Sequence, residues 1–301
     1  MTALEFQNQK LRSENSTAPI LLPKNPRPTM PIHRTLNLPS ITDAEFARID
    51  KAVMDHAYDI QNRMGRLFDE RIYENELADR LRADGFEVHT QVPVQVVHGS
   101  FAKTYYLDLI VNGMVYELKV VESLHHSHKA QALHYAMLQG VRLVKLLNFG
   151  AGSIQGDLLK NQLDEPDRHH PLLRNSGCKP VTSSCERLIE HLRALLNDWG
   201  THLSGSLYNE ALIHHFGGET QCLKRVDVCS ASSVLGSHLV QMHGPDAAFH
   251  LTTLSEGQTS YQRQLQHVFE RIPLQVMQWI NLNHARVEIT TLSKPEKQAV
   301  E

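Results

Sequence analysis

The sequence has only four cysteines among 301 residues, which excludes a disulfide-stapled fold. It has no apolar run near the roughly 18 residues of a membrane span, and residues 1–10 contain no secretory h-region. A surplus of positive charge is also absent, since 33 acidic residues face 30 Lys and Arg. This balance excludes a generally basic, histone-like mode of nucleic-acid binding. Together these absences predict a soluble, cytoplasmic protein with no membrane partner.

Zinc-site spacing is missing as well. The cysteines fall into two pairs, each separated by six residues, whereas zinc sites use C-x2-4-C pairs. The 19 histidines are scattered, and adjacent ones such as His214 and His215 point in different directions from a helix or strand. We therefore predict ordinary thiols and surface histidines.

The first 41 residues differ in composition from the rest of the chain. Six prolines occur between residues 18 and 40, at positions 19, 23, 26, 28, 31 and 39. Such a segment cannot bury a core, so residues 1–41 are predicted to form a disordered arm. Order is predicted to begin at the capping box formed by Thr42 and Glu45.

Hydrophobic periodicity over residues 42–150 predicts the order α-α-β-β-β-α-β. The strongest local signal is Asn112-Gly113, a dipeptide typical of two-residue hairpin turns. The predicted helices cover residues 43–64, 68–84 and 127–139, and the predicted strands cover residues 86–96, 105–111, 114–121 and 141–149.

After a predicted linker at residues 151–182, the chain repeats a spacing. Glu117, Gln131 and Asn148 are separated by 14 and 17 residues, and so are His250, Gln264 and Asn281. This pattern predicts that residues 183–293 form a second copy of the first domain, followed by a tail at residues 294–301. The alternative is an unrelated C-terminal domain.

The hairpin places charged residues together. If Val111 faces Met114 across the turn, then Asp108 lies opposite Glu117, and Lys119 shares the face of Glu117. Two facing carboxylates repel unless a positive charge lies between them. Lys119 is one candidate for that charge, and a hard divalent cation such as Mg2+ or Mn2+ is another.

Two further polar residues lie on otherwise apolar helix faces. Glu70 falls in the stripe of Leu77 and Leu81, where an unpaired anion would be costly. Gln131 lies on the Tyr135 face of the later helix and could add a polar contact. The alternative interpretation is a solvated hairpin face with an ordinary Glu–Lys pair.

These residues are similar to those of a known enzyme group. Glu70, Asp108 and Glu117-Leu118-Lys119 together resemble the PD-(D/E)XK nuclease superfamily. Signatures in residues 45–150 further resemble the GxxExxY protein family, although Leu67 stands where that family has its first glycine. The family signatures are Glu70-Arg-Ile-Tyr73, Gln91-Val-Pro-Val94, Glu117-Leu-Lys119, His128-x-Ala-Gln131 and Leu147-Asn-Phe-Gly150.

The resemblance implies both a fold and a chemistry. The fold is α/β, with a PD-(D/E)XK nuclease-like core (α-β-β-β-α-β) whose mixed central sheet is flanked by helices. The metal ligands would be Asp108, Glu117 and the Leu118 carbonyl, holding Mg2+ or Mn2+. Lys119 would position or deprotonate the attacking water, Glu70 would orient a water or assist a second metal, and Gln131 would support the site.

The second copy is expected to be degenerate. In register, Gly205 replaces Glu70, His250 replaces Glu117 and Thr252 replaces Lys119, while residues 239–241 near the Asp108 position read Leu-Val-Gln. We therefore expect an intramolecular pseudo-dimer with one active site, or a homodimer of such chains.

Two functions follow from these observations. The first is a metal-dependent nuclease acting on nucleic acid, with DNA favoured over RNA. The second is a non-catalytic nucleic-acid- or protein-binding scaffold that retains the nuclease fold. The intact Asp108, Glu117 and Lys119 favour the first, and the absence of a basic stripe favours the second, since phosphate contacts supply much of nucleic-acid affinity.

Overall fold

The computed structural model describes residues 31–163, 165–169, 172–177 and 182–294. The chain divides into two compact units. The first unit contains the described part of Asn25–His169 together with Ala194–His215. The second unit contains the described parts of His170–Arg193 and Phe216–Glu301. Within the described residues, no helix is both long and apolar enough to cross a membrane.

Two helices open the first unit: α1 (Asp43–Met64) and α2 (Glu70–Ala83). The predicted capping box is present, with Thr42 and Glu45 bonded to each other's backbone N–H at the start of α1. Gly65 ends α1 at a φ of 77°, a left-handed value that favours glycine. The buried face of α1 packs against α2 and the sheet, through Ile49, Val53, Ala57 and Ile60.

The first sheet has six strands in the order β1-β2-β3-β4-β5-β6. Strands β4 and β5 are parallel, with α3 (His126–Gln139) between them in sequence, and the other neighbours are antiparallel. This arrangement gives the predicted mixed sheet with helices. The strands are β1 (Ile32–Arg34), β2 (Val88–His98), β3 (Phe101–Val111), β4 (Met114–Lys119), β5 (Leu143–Asn148) and β6 (Gln155–Lys160).

The hairpin register agrees with the prediction. Val111 pairs with Met114 around Asn112 and Gly113, which both have positive φ values, 44° and 87°. A two-residue turn with both φ values positive matches the twist of the flanking strands. The register therefore brings Asp108 of β3 and Glu117 of β4 close together, at the end of the paired segment away from the turn.

Three strands lie outside the predicted boundaries. Ile32–Arg34 pairs with Val94–Val96 of β2, so the predicted disordered arm is wrong over these residues; residues 1–30 lie outside the described chain. Gln155–Lys160 pairs with β5, and Leu172–Gly177 pairs with the strand that begins at Arg286, so the predicted linker at residues 151–182 is wrong over both segments. A three-residue strand has no detectable period, and β6 is mostly exposed, so neither has a clear alternation in sequence.

The second unit contains the other six-stranded sheet, in the order β7-β12-β11-β10-β9-β8. Here β10 and β11 are parallel, with α8 (Gln258–Arg271) between them in sequence. The short helix α7 (Glu219–Cys222) precedes β8. The strands are β7 (Leu172–Gly177), β8 (Leu223–Cys229), β9 (Val234–Gly244), β10 (Ala247–Thr252), β11 (Val276–Asn283) and β12 (Arg286–Ser293).

The remaining helices are α4 (Glu165–Arg168), α5 (Ser183–Trp199) and α6 (Gly205–His215). The end of α5 and all of α6 belong to the first unit, where Trp199 Nε1 donates to the Val97 carbonyl and Lys103 pairs with Glu210. The division between units therefore differs from the predicted boundary at residues 182 and 183. The cause is packing of apolar side chains such as Trp199, which local sequence patterns do not report.

The prediction of surface histidines is wrong for two of them. His134 and His243 are each 4% exposed. Burial is the main reason that the pKa of His134 is lowered to about 3 and that of His243 to about 4. Both rings are therefore neutral near pH 7 and act as core side chains. Cys185, Cys222 and Cys229 are free thiols, as predicted for ordinary cysteines.

Candidate active site

The site begins where the β3–β4 ladder ends. The last pair of the ladder is Leu109 with Tyr116, one residue short of the predicted pairing of Asp108 with Glu117. Instead, Asp108 Oδ2 accepts a hydrogen bond from the buried Leu118 N–H at 2.9 Å. The Asp108 side chain thus replaces a backbone acceptor, which fixes its carboxylate between the two strands.

Glu117 is a buried carboxylate, at 1% exposure. Burial, and then the charge of Asp108, raise the pKa of Glu117 to about 8. Within the described residues its Oε2 atom has no hydrogen-bond partner. A buried, unsatisfied carboxylate oxygen is costly, so this atom is suited to a cation.

Lys119 is the cation closest to this carboxylate. Its Nζ atom donates to Glu117 Oε1 and to the Leu118 carbonyl, both at 2.6 Å. Burial lowers the pKa of Lys119, but Glu117 and other nearby carboxylates raise it more, so the pKa lies above its ordinary value. Lys119 is therefore an ammonium ion at neutral pH.

Glu70 completes the predicted acidic group. It is the first residue of α2, and its Oε1 lies 3.7 Å from Lys119 Nζ. Burial raises the pKa of Glu70, the charge of Lys119 opposes this rise, and Asp108 adds to it. Helix α2 thus brings Glu70 to the end of the hairpin, and the structure brings together Glu70, Asp108, Glu117 and Lys119.

Gln131 is placed differently. Its Nε2 atom donates to the Tyr135 hydroxyl at 3.1 Å, and in the described chain no hydrogen bond joins it to Asp108, Glu117 or Lys119. Burial raises the pKa of Tyr135, and the charges of Glu117 and Asp108 contribute to the rise. Gln131 therefore adjoins the site through Tyr135, a residue to which the sequence reasoning gave no role.

The sequence analysis gave no role to two more functional candidates, Glu74 and Gln91. Gln91 Nε2 donates to Glu74 Oε2 at 2.8 Å and to Asp108 Oδ1 at 3.2 Å, so one amide joins two carboxylates. Glu74 is 1% exposed, and burial raises its pKa. A signal for Glu74 existed in the sequence, because helical spacing puts it on the buried face with Leu77 and Leu81.

Gln91 has an unusual backbone conformation. Its φ is 50°, a left-handed value that non-glycine residues adopt at a cost of order 1 kcal/mol or more. The strand pattern gives no signal of this, since Gln91 occupies an ordinary polar position in an alternating segment. The strained residue is also the one that holds Asp108 and Glu74, which indicates that its position serves the site.

The donor set fits a hard divalent cation. Carboxylate and carbonyl oxygens are the ligands that Mg2+ and Mn2+ prefer, and Glu117 Oε2 is buried without a partner in the described chain. Two of the predicted ligand atoms, Glu117 Oε1 and the Leu118 carbonyl, accept from Lys119. Among the described residues, no group of three or more His, Cys, Asp or Glu could hold a metal. A metal here would therefore use only two carboxylates with the carbonyl.

Comparison with known families supplies the class of this fold. Residues 47–159 match the family model of the PD-(D/E)XK nuclease superfamily. The superfamily prediction is confirmed for this segment, whereas the narrower GxxExxY family stays a prediction. The matched segment contains Glu70, Asp108, Glu117, Lys119 and Gln131, and it extends into β6. No curated protein and no solved structure gave a significant match.

A variant at Gln91 tests how the carboxylates of the candidate site are held. Gln91→Ala should weaken Mn2+ binding by about 10-fold to 100-fold, because Asp108 and Glu74 lose their shared donor. Gln91→Gly should weaken metal binding equally while relieving the backbone strain. The measurements are metal titration and chemical denaturation of both variants. If metal affinity stays at the native value in both variants, Gln91 has no positioning role.

Proposed function

We propose that residues 47–159 hydrolyse phosphodiester bonds of nucleic acid with the help of Mg2+ or Mn2+. The observation that supports this most is the buried Glu117 carboxylate, with its unpartnered Oε2 among the described atoms, next to Asp108 and the Lys119 ammonium. Nucleases of the PD-(D/E)XK superfamily typically use divalent metals. DNA is the proposed polymer rather than RNA.

Asp108, Glu117 and the Leu118 carbonyl would hold the metal. When bound, a divalent metal lowers the pKa of water and neutralises charge on phosphate oxygens. Lys119 is then the group that stabilises charge developing on the phosphoryl oxygens, since it is an ammonium ion fixed at the site. Glu70, 3.7 Å from Lys119, is placed to orient the attacking water or to assist a second metal.

Gln131 and the Glu74–Gln91 pair have supporting roles in this proposal. Gln91 restricts Asp108 to one orientation, and Gln131 restricts the Tyr135 hydroxyl beside the carboxylates. Groups that hold ligands in place are worth about 10-fold to 100-fold in metal affinity or activity in other metal sites. None of these three residues needs to exchange a proton during the reaction.

One experiment tests the activity. The full-length protein is incubated with single- and double-stranded DNA and RNA in Mg2+, in Mn2+, and in EDTA, with Glu117→Gln as the matched variant. Cleavage that requires the metal and Glu117 supports the proposal. The proposal is contradicted if the native protein cleaves none of the substrates with metal, or if Glu117→Gln cleaves as fast as the native protein.

One observation favours the alternative, a non-catalytic scaffold that binds nucleic acid or protein. Lys119 donates to two of the predicted ligand atoms, as expected for a structural ion pair. If Lys119 has only this structural role, no metal should bind. Lys119→Met should then lower the stability of the fold and change no cleavage activity. Nucleic-acid binding that is insensitive to EDTA, without cleavage, would support this alternative.

The raised pKa of Glu117 predicts a pH dependence. Its pKa rises from 4.5 to about 8 on folding, so the folded state binds a proton that the unfolded state lacks between these values. Without metal, stability should therefore fall as pH rises through this range. Metal binding needs the carboxylate form, so the metal-induced stabilisation should grow as pH approaches about 8.

Denaturant titrations with EDTA and with Mn2+, from about pH 5 to 9, measure both trends. The control is Glu117→Gln, which removes the titrating group and should flatten both. A metal-free stability that rises with pH in the native protein but not in this variant would contradict the raised pKa.

We also propose that residues 183–293 are a degenerate copy of residues 42–150 that lacks the catalytic residues. Strands β8 to β12 repeat the order and directions of β2 to β6, which supports this. The register agrees too: Glu117 pairs with the residue two before Asn148, and His250 pairs with the residue two before Asn281.

Two hydrogen-bond motifs occur in both halves. Tyr73 donates to the Gly65 carbonyl and Tyr208 to the Gly200 carbonyl, each at 2.8 Å and each eight residues back in the chain. Asn148 bonds both backbone groups of the residue 27 positions earlier. Asn281 does the same with the residue 27 positions before it. These matched details support a duplication over a chance similarity of separate domains.

The corresponding positions of the second half have no catalytic chemistry. The His250 ring stacks on the Tyr261 ring, and the His250 Nε2 atom lies 2.5 Å from the Tyr261 hydroxyl oxygen. The Thr252 hydroxyl donates a hydrogen bond to Asn281 Oδ1. His250→Ala should therefore leave cleavage per folded molecule unchanged, whereas Glu117→Ala should abolish it. Cleavage assays on both variants, normalised to folded protein, measure this. Loss of activity in His250→Ala at full folding would contradict an empty copy.

Other assignments are part of this proposal. It includes three predictions made from the sequence: the narrower GxxExxY family, a cytoplasmic location, and a pseudo-dimer or homodimer. Measurement of the molecular mass of the protein in solution tests whether two chains form a homodimer. Of the predicted tail at residues 294–301, residues 295–301 lie outside the described chain.

A further inference from the structure

The loop between α1 and α2 (residues 65–69) presents two adjacent apolar side chains to solvent. Leu67 is 94% exposed and Phe68 is 46% exposed. Single apolar residues scattered over a surface are ordinary, whereas adjacent ones on the same loop indicate a surface that contacts another molecule. The question is which molecule these two side chains contact.

The loop is held in one conformation by the buried Tyr73. The Tyr73 hydroxyl accepts a hydrogen bond from the Phe68 N–H at 3.2 Å and donates one to the Gly65 carbonyl at 2.8 Å. One hydroxyl group thus ties both ends of the loop. The Phe68 ring also makes a T-shaped contact with the Tyr73 ring, with centroids 6.2 Å apart. Because the loop is ordered before any ligand binds, less conformational entropy is lost on binding.

The equivalent loop of the proposed second copy provides an internal comparison. Tyr208 ties that loop as Tyr73 ties this one, by donating to a carbonyl eight residues back in the chain. At the position of Phe68 the second copy has Leu203, which is only 6% exposed. The second copy also has no carboxylate at the position of Glu70. The loop therefore exposes its apolar side chain in the half with the charged site and buries it in the half without one.

The exposed loop leads directly into the candidate site. Phe68 lies two residues before Glu70, so their Cα atoms are at most about 7 Å apart. Glu70 Oε1 in turn lies 3.7 Å from Lys119 Nζ. The loop also contains Arg66, an exposed arginine with no hydrogen bond or ion pair within the described residues. Its guanidinium group is available for a phosphate. A nucleic acid whose phosphodiester lies at Lys119 would therefore meet a cation and two apolar side chains beside it.

We propose that this loop binds single-stranded DNA, with Phe68 stacked on an unpaired base, Leu67 packed beside that base and Arg66 on the backbone. Aromatic side chains stack on any base, since every base has a π-face. An unpaired strand offers these faces, whereas a duplex keeps its bases inside the stack. The position beside Glu70 and the free arginine favour nucleic acid over a protein partner. This inference rests on the proposed nuclease function and names a single strand as the substrate of that site.

Fluorescence anisotropy with a labelled DNA single strand of about 12 nucleotides tests the contact. The host is full-length Lys119→Met with Mn2+, in which the strand should be cut only slowly. In this host, Phe68→Ser should weaken binding by about 5-fold to 150-fold, the range for loss of one stacked base. Leu67→Ser should weaken binding by about threefold or more, since an apolar side chain loses its contact. The fold does not depend on a side chain that is 94% exposed.

Tyr58→Ser is the matched control. Tyr58 is an aromatic residue of α1 that is 46% exposed, as Phe68 is, and it lies seven residues before Gly65, roughly 10 Å along the helix axis. This variant should leave binding of the single strand unchanged. A duplex of the same sequence should bind more weakly than the single strand. Phe68→Ser should change duplex binding little, because the bases of a duplex are already stacked on one another.

The proposal is overturned if both loop variants bind the single strand normally, if Tyr58→Ser weakens binding as much as they do, or if Phe68→Ser weakens duplex binding by the same factor. Normal DNA binding by Leu67→Ser together with a lower molecular mass in solution would instead assign the loop to a contact between two copies, which also overturns it.

Failure of this proposal differs from failure of the nuclease function. If the native protein cleaves no nucleic acid but the loop variants lose single-strand binding, the nuclease function is wrong and the loop still binds a single strand. If the native protein cleaves nucleic acid and both loop variants bind the single strand normally, the nuclease function stands and the role of the loop is wrong.

Discussion

Lys119→Met is expected to lower the rate of nucleic-acid cleavage by about a hundredfold or more, by removing the charge that stabilises the transition state. Methionine keeps most of the apolar stem of lysine, so the packing at the end of β4 is retained. The measurement is single-turnover cleavage at saturating Mn2+, normalised to folded protein. This rate separates the nuclease from the scaffold hypothesis.

Metal binding should respond in the opposite way. Lys119 donates to Glu117 Oε1 and to the Leu118 carbonyl, which are predicted metal ligands. Removing the ammonium takes away a positive charge that competes for these atoms. Lys119→Met should therefore bind Mn2+ at least as tightly as the native protein, although it cleaves poorly.

The matched control is Lys145→Met. Lys145 is also a buried lysine, 7% exposed, and it forms an ion pair with Asp50 at 2.6 Å. Its loss should reduce stability, because Asp50 loses its partner, but the rate per folded molecule should not change. A Lys119→Met protein that behaves like this control, less stable but equally active, would make Lys119 a structural residue.

The site could be predicted from the sequence where local rules determine it. The Asn112-Gly113 turn fixes the register of β3 and β4, and the register brings Asp108, Glu117 and Lys119 to one place. Helical spacing predicts that Glu70 lies near these residues, because an acidic side chain in an apolar stripe requires a partner. In both cases, a few neighbouring residues contain the whole signal.

The parts that escaped prediction depend on long-range packing. The bridge from Gln91 to Asp108 and Glu74 requires a left-handed φ of 50° in a strand, which no residue near Gln91 specifies. The pairing of β3 with β4 ends one residue early because the Leu118 N–H donates to the Asp108 side chain. An alternating pattern of apolar and polar residues does not predict this hydrogen bond. The strand at residues 32–34 forms only because the edge of β2 is available to it.

Asp108→Asn is expected to abolish the stabilisation of the protein by Mn2+ or Mg2+. A metal that binds only the folded state stabilises it by about 2.7 kcal/mol when its concentration is 100 times the Kd. Asparagine removes one of the two carboxylates proposed as ligands. It still offers an oxygen to the Leu118 N–H, so the end of the hairpin is retained.

The measurement is the thermal midpoint of the native protein and of the variant, with metal and with EDTA. Asp157→Asn is the control, since Asp157 belongs to an exposed pair with Lys129 in the same unit and undergoes the same change. The control should keep the full metal response. Asp108→Asn should show none, and the pKa of Glu117 should fall, because the charge of Asp108 contributes to its rise. A metal response of native size in Asp108→Asn would remove Asp108 from the ligand set and leave Glu117 with the Leu118 carbonyl, too few protein ligands for the proposed metal site.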